Sequence, residues 1–149
     1  MLASEVCPQV DFSIEDMMSQ EHSFQQIIEM LSAAGVPTRQ LAGGGNVAVT
    51  PVGGRIVAMA FSPSDRNLFW TNPELINADL VRNHPEKLAG GLGGDRIWFA
   101  PELDYHWRGK PDWNTCSNYE VPTSADPGAY KFVSEAADAV TLRAHIVLT

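Results

Sequence analysis

The longest regular pattern of apolar and polar positions in this chain is an alternation from residue 96 to residue 107. Ile97, Phe99, Pro101, Leu103, Tyr105 and Trp107 occupy one set of positions, and Arg96, Trp98, Ala100, Glu102, Asp104 and His106 the other. Successive side chains of an extended strand point to opposite faces, so this period predicts a strand with one apolar face. Its other face would carry a cation, a large aromatic ring, two carboxylates and an imidazole. Two glycine pairs, Gly90-Gly91 and Gly93-Gly94, lead into it.

A helical period comes earlier. Phe24, Ile27, Ile28 and Leu31 stand at i, i+3, i+4 and i+7, one apolar stripe of an amphipathic helix. Ser23 followed by Gln26 is a capping box, in which hydroxyl and side-chain amide satisfy each other's backbone N–H groups. Gly35 suits the left-handed position after the helix, and Val36-Pro37 prevents continuation. The spacing predicts a helix over about 24–34, whose stripe covers a sheet face or edge or docks a partner.

Turn chemistry divides the remainder. Residues 46–61 read as a hairpin, with arms at 47–52 and 55–61 and Gly53-Gly54 supplying the positive φ that a tight turn requires. Residues 63–67 are a loop, 68–71 a short β segment, and 74–88 one or two helical turns around Leu75 and Leu80, ended by His84-Pro85 and glycines. Residues 108–129 form a long loop containing Trp113, Asn114 and Tyr119, and loops of that length are often functional. Strands follow at 130–133 and 140–148; in the second, Val140, Leu142, Ala144, Ile146 and Leu148 share a face. A strand running to the last residue leaves a sheet edge in need of a neighbour. The expectation is therefore that further C-terminal sequence or self-association completes the sheet. Residues 1–22 show no sustained period and read as a poorly ordered acidic leader, so 23–149 is expected to be the structured part.

Composition narrows the classes. One domain suits 149 residues, with 44% apolar and 19% charged. The net charge of -8 is uneven: residues 1–35 hold six acids and no base, and the rest hold twelve acids and all ten bases. Without a basic stripe the chain is a poor binder of phosphate backbones, which excludes nucleic acid. No apolar run reaches the roughly 18–20 residues of a membrane helix, and no basic and apolar leader marks a secretory signal. Cys7 and Cys116 are far apart and have no zinc-ligand spacing, so two reduced thiols in a cytoplasmic protein are expected. Gly43-Gly44-Gly45-Asn46-Val47-Ala48 matches a dinucleotide fingerprint formally. The helix precedes it and a strand follows, the reverse of what that site needs, and it reads as a connector.

Three stretches together resemble the galactose-mutarotase-like (aldose 1-epimerase) superfamily, in an uncharacterised bacterial branch. They are Gly53-Gly54-Arg55-Ile56 with its apolar strand, Asn67-Leu68-Phe69-Trp70-Thr71-Asn72-Pro73, and Gly93-Gly94-Asp95-Arg96-Ile97-Trp98-Phe99-Ala100-Pro101-Glu102. The resemblance spans about residues 24–148. It implies a mainly β fold, an antiparallel β-sandwich of the supersandwich type, incomplete here, with the one N-terminal helix. It also implies a sugar bound in an open groove, and anomers interconverted by a His acid and a Glu base without metal or cofactor. Neither role has a counterpart in this chain: the family's Glu falls beyond Thr149, and the surroundings of His84, His106 and His145 do not match the family's His motif.

Each candidate residue has two readings. Arg96 holds sugar hydroxyls or a phosphate through its planar fork, or pairs structurally with Asp95, Glu102 or Asp104. Trp98 stacks on a pyranose, or packs in the core. Glu102, Asp104 and His106 act as weak candidates for acid–base groups, or form a solvated strand face. Their i, i+2, i+4 spacing also allows a metal of the kind cupin-like enzymes use, a minor alternative. Pro101 cannot donate to a ladder and implies an edge or a bulge, which would turn Arg96 and Trp98 to the face opposite Glu102, Asp104 and His106. The expected ligand is a small-molecule carbohydrate, and the alternative function is a non-catalytic carbohydrate-binding or structural β-module.

Overall fold

The computed structural model describes residues 22–43, 45–83 and 91–148. The leader at 1–21, Cys7, Gly44, residues 84–90 with His84, the Glu102 side chain and Thr149 lie outside the described residues. Every strand pairs antiparallel, in a four-stranded sheet of order β1-β2-β3-β4 and a separate two-stranded sheet β5-β6. The strands are β1 (Arg39–Leu41), β2 (Asn46–Thr50), β3 (Arg55–Ala60), β4 (Asp95–Arg96), β5 (Lys131–Glu135) and β6 (Val140–Arg143). Helix α1 spans Phe24–Ala33, α2 Ala78–Asn83 and α3 Glu102–Tyr105, with a 3-10 turn at Pro73–Ile76.

The capped helix α1 forms as its sequence predicts. Ser23 Oγ accepts from the Gln26 N–H at 3.2 Å, and Gln26 Oε1 accepts from the Ser23 N–H at 2.9 Å. The two remaining N–H groups of the first turn, on Phe24 and Gln25, donate to the carbonyls of Asp65 and Pro63. A helix start needs four such partners, and here the loop after β3 supplies two of them. At the other end the Val36 N–H reaches the Leu31 carbonyl and the Gly35 N–H that of Ser32, with Gly35 at φ 72°, a Schellman closure. Phe24, Ile27 and Leu31 are buried against Ala48, Val57, Ala58 and Ala60 of the β2–β3 hairpin and against Leu75, Val81 and Leu92. Each fully buried side chain of that size contributes about 1.5–3 kcal/mol.

The β2–β3 hairpin lies where the Gly53-Gly54 turn predicts it, with a register shift between Ala48 and Val49. Across that shift the buried positions of β3 change phase, from Arg55 and Val57 to Ala58 and Ala60, as an inserted residue requires. The short strand β1, pairing Arg39 with Val49 and Leu41 with Val47, has no signal in the apolar pattern.

The predicted strand over 96–107 is not one. Pairing ends at Arg96, and residues 97–100 are irregular. The chain then enters α3, with the Asp104 N–H donating to the Pro101 carbonyl at 3.1 Å. Pro101 has no N–H for a ladder but fits the first turn of a helix, whose leading N–H would be unpartnered anyway. The alternation there is therefore not a record of faces. Residues 68–71 likewise form no strand; only Thr71 bridges to Gly93. Strand β6 stops at Arg143, although residues 144–148 keep the predicted alternation of half-buried and exposed positions.

The Gly93-Gly94 pair is fixed by close approach. A Cβ on Gly94 would stand 2.3 Å from the Ile56 carbonyl oxygen, and one on Gly93 2.6 Å from that of Trp70; φ is 77° and 81°. Asn67 and Asn72 secure the same region. Asn67 accepts from the Met59 N–H at 2.8 Å and Asn72 donates to the Gly91 carbonyl at 2.6 Å. Gly94→Ala is expected to cost more than about 3 kcal/mol, combining about 1–2 for the left-handed conformation with the overlap. Gly109→Ala, at φ 81° in open space, carries only the first cost. Urea unfolding midpoints of the two variants measure the difference.

Candidate functional site

Arg55 follows the hairpin turn and is the first residue of β3. Its side chain is buried, at 5% exposure, so its charge needs a partner. One Nη donates to the Gly93 carbonyl at 2.9 Å and the other to Asp126 Oδ2 at 2.6 Å. Arg96, opposite Arg55 in the β3–β4 ladder, donates to the same carboxylate oxygen. One carboxylate thus holds two guanidinium groups. Burial lowers the pKa of Arg55, Asp126 opposes that shift and the Arg96 charge adds to it; an arginine nonetheless stays protonated. Glycines make room for the arrangement, since a Cβ on Gly53 or Gly91 would lie 2.5 or 2.8 Å from the Arg55 side chain. Tyr130 is buried beside it, its ring filling the space over Gly54 and Gly128. Burial first, and then the Asp126 charge, push its phenol up, with Arg55 opposing.

From Arg96 an aromatic column begins. The guanidinium carbon sits 4.2 Å from the Trp98 ring centre, a cation–π contact. The His106 imidazole stacks on Trp98 at 5.0 Å and 9°, and Tyr119 on His106 at 5.7 Å and 16°. Trp107 packs on both Trp113 and Tyr119. Residues 106–120 hold this cluster as a narrow excursion. The Glu120 N–H donates to the His106 carbonyl, the Arg108 N–H to that of Asn118, and Arg108 pairs with Glu120. Asp112 ties its tip; the Thr115 hydroxyl, then the backbone N–H groups of Asn114 and Thr115, hold its carboxyl below the usual range. His106 is 3% exposed, and its Nδ1 is buried with no hydrogen-bond partner among the described residues.

Two cavities adjoin the column. One, of about 430 Å³, lies between the four-stranded sheet and the β5–β6 hairpin. Leu41, Val47, Val49, Ile56, Val140 and Leu142 form its apolar walls, and Arg55, Asp95 and Arg96 its polar ones. The other, of about 280 Å³, is bounded by Tyr105, His106, Trp107, Arg108, Glu120 and their neighbours.

The structure therefore brings together Arg96, Trp98 and His106. This corrects the expectation that Pro101 would divide them between two faces: the helical turn after Pro101 carries His106 back over the Trp98 ring. The Glu102 side chain lies outside the described residues; Arg96 has a structural ion pair with Asp126, thirty residues on, and none with Asp95 or Asp104. Its other N–H groups have no protein partner among the described residues. Asp104 is exposed on α3 and does not converge with His106 on a single strand face. Among the described residues no group of three or more His, Cys, Asp or Glu side chains could hold a metal ion. Asp126 escaped the sequence reading; Arg55 entered it only within a motif and Tyr119 only as a notable side chain of the long loop, neither with a role. A cation set directly into an apolar strand was the available sign for Arg55; nothing local marked Asp126.

Comparison of the chain with protein-family profiles, with curated proteins and with solved structures returns no match. No helix among the described residues is long and apolar enough to cross a membrane.

Removing Asp126 leaves two guanidinium groups without their counter-charge. Asp126→Ala is expected to cost about 3 kcal/mol, read from urea unfolding at neutral pH. The raised Tyr130 phenol sets an alkaline limit. The neutral phenol contributes stability that is fully present below the unfolded value of about 10 and is lost as pH rises through the higher folded value. Melting temperatures between pH 8 and 11 should fall more steeply for the parent than for Tyr130→Phe.

Proposed function

We propose that this chain binds a small carbohydrate in the cavity between its two sheets, as its resemblance to the mutarotase-like superfamily implies. The observation that carries the reading is Arg96. It is anchored by Asp126, lines the cavity, and keeps N–H donors unspent among the described residues. Asp95 supplies acceptors on the same wall, and a fixed guanidinium beside a carboxylate suits neighbouring hydroxyls. The aliphatic wall opposite suits the C–H face of a sugar ring. In this reading the two sheets are two layers of an antiparallel sandwich of the supersandwich type.

A binding role without catalysis is favoured for the chain by itself, because Asp104 and His106 do not meet at the Arg96 cavity. Titrating isotope-labelled protein with glucose and with galactose should shift amide resonances at β3, β4 and β6. Arg96→Ala should weaken binding about tenfold, and exchange between sugar anomers should be no faster than in buffer. Absence of any shift with either sugar would overturn the carbohydrate reading; accelerated exchange would overturn the non-catalytic one.

A further inference from the structure

We propose that this chain pairs with a second copy of itself through the free edge of the β5–β6 sheet, residues 140–148 of the two copies running antiparallel. Such pairing is independent of whether a sugar binds. The β5–β6 sheet has two strands, and two strands are marginal in water on their own, whereas three or more with an apolar face are stable. Ladder pairing of β6 ends at Arg143, yet exposure goes on alternating from Val140 to Leu148, half-buried at even positions and exposed at odd ones. This is a period of observed exposure, so unlike the pattern at 96–107 it records the two faces of an extended segment. Val140 and Leu142 of its half-buried face line the larger cavity.

Hydrogen bonds at the two ends of the segment fix which edge is free. The Ala139 carbonyl accepts from the Ala136 N–H across the hairpin turn at 2.8 Å. The Val147 N–H donates to Ser124 Oγ at 3.1 Å, and the Val147 carbonyl accepts from the same hydroxyl at 2.8 Å; Ser124 belongs to the chain leading into β5. Both positions are odd. Main-chain groups of alternate residues in an extended strand point to opposite edges, so those of Val140, Leu142, Ala144, Ile146 and Leu148 point away from β5. Between residues 144 and 148 only Val147 has a main-chain hydrogen bond among the described residues. Natural sheets guard such edges with proline, lysine or a bulge. Residues 140–148 contain neither proline nor lysine, and the register shift of this hairpin lies on β5.

The segment is complementary to itself. A twofold axis through Ala144 sets Val140 against Leu148 of the second copy, Leu142 against Ile146, and Ala144 against Ala144. Each pair joins outward-pointing main-chain groups and apolar side chains on one face, as an interface that uses the same patch twice requires. Arg143 is the one charged residue of the segment at neutral pH, and this register places it opposite His145 rather than opposite a second guanidinium. The product is a four-stranded sheet shared by two copies. An edge contact of this length falls at the small end of specific interfaces, under about 1,200 Å², so the two copies exchange with free chains.

Sedimentation velocity over about a hundredfold range of concentration should show the mass rising from that of one chain towards twice that value. Amide hydrogen exchange at the two ends of the range should show the N–H groups of Leu142, Ala144, Ile146 and Leu148 slowed about tenfold or more at high concentration, while those of Arg143, His145 and Val147 keep their rates. Ala144→Pro removes the central outward N–H, which no group of the same chain uses, so this variant should match the parent's urea midpoint in dilute solution and stay monomeric throughout. A parent that is monomeric at every concentration would overturn the pairing and leave the edge to a different partner. A dimer that survives Ala144→Pro, or one in which odd and even amides are slowed alike, would overturn it too. The amide pattern is read on the parent, so it decides the matter even if the proline variant fails to fold.

Discussion

A single carboxylate, Asp126, holds the two arginines around which this molecule is arranged. Arg55 enters the interior because it occupies a buried position of β3, and nothing on β3 itself can neutralise it. Asp126 arrives from the far end of a long loop, and the Gly93 carbonyl takes the other Nη. Buried ion pairs are weak evidence of net stability, because desolvation offsets much of their attraction. Their effect is geometric. With Asp126 in place, the loop before β5 is pinned to the hairpin turn, Tyr130 is seated over two glycines, and Arg96 is held in one orientation.

The aromatic column extends that rigidity outward. Guanidinium, indole, imidazole and phenol lie one against the next, so Trp98 and His106 gain their orientation from stacking rather than from a regular element. Each stacked pair contributes about 0.5–1.5 kcal/mol beyond its buried area. A ligand meeting this surface would find rings already positioned, which lowers the ordering cost of binding.

Legibility in the sequence followed the range of the interactions. Helix α1 and the β2–β3 hairpin were readable because a capping box, an apolar stripe and a glycine pair act within a few residues. The strand expected over 96–107 was misread because alternation records side-chain spacing, and Pro101 decides whether backbone pairing can use it. Arg96 and Trp98 stood out as unusual residues, and they do lie together. The carboxylate that anchors Arg96 did not, since Asp126 is thirty residues away in a loop without a period. Strand β1 has three residues and takes its structure from β2, so no local signal was available.

The pairing of Arg55 with Asp126 joins residues 71 apart in the chain. Contacts of such separation carry a large loop-closure entropy and form late, whereas hairpins and helices form locally and fast. Loop-closure entropy therefore favours forming the helix and the β2–β3 hairpin ahead of the arginine clamp. On that order, chains would pass through a stage in which the apolar layer is packed while Arg55 still lacks its counter-charge, and Arg96 takes its fixed orientation only with that final closure.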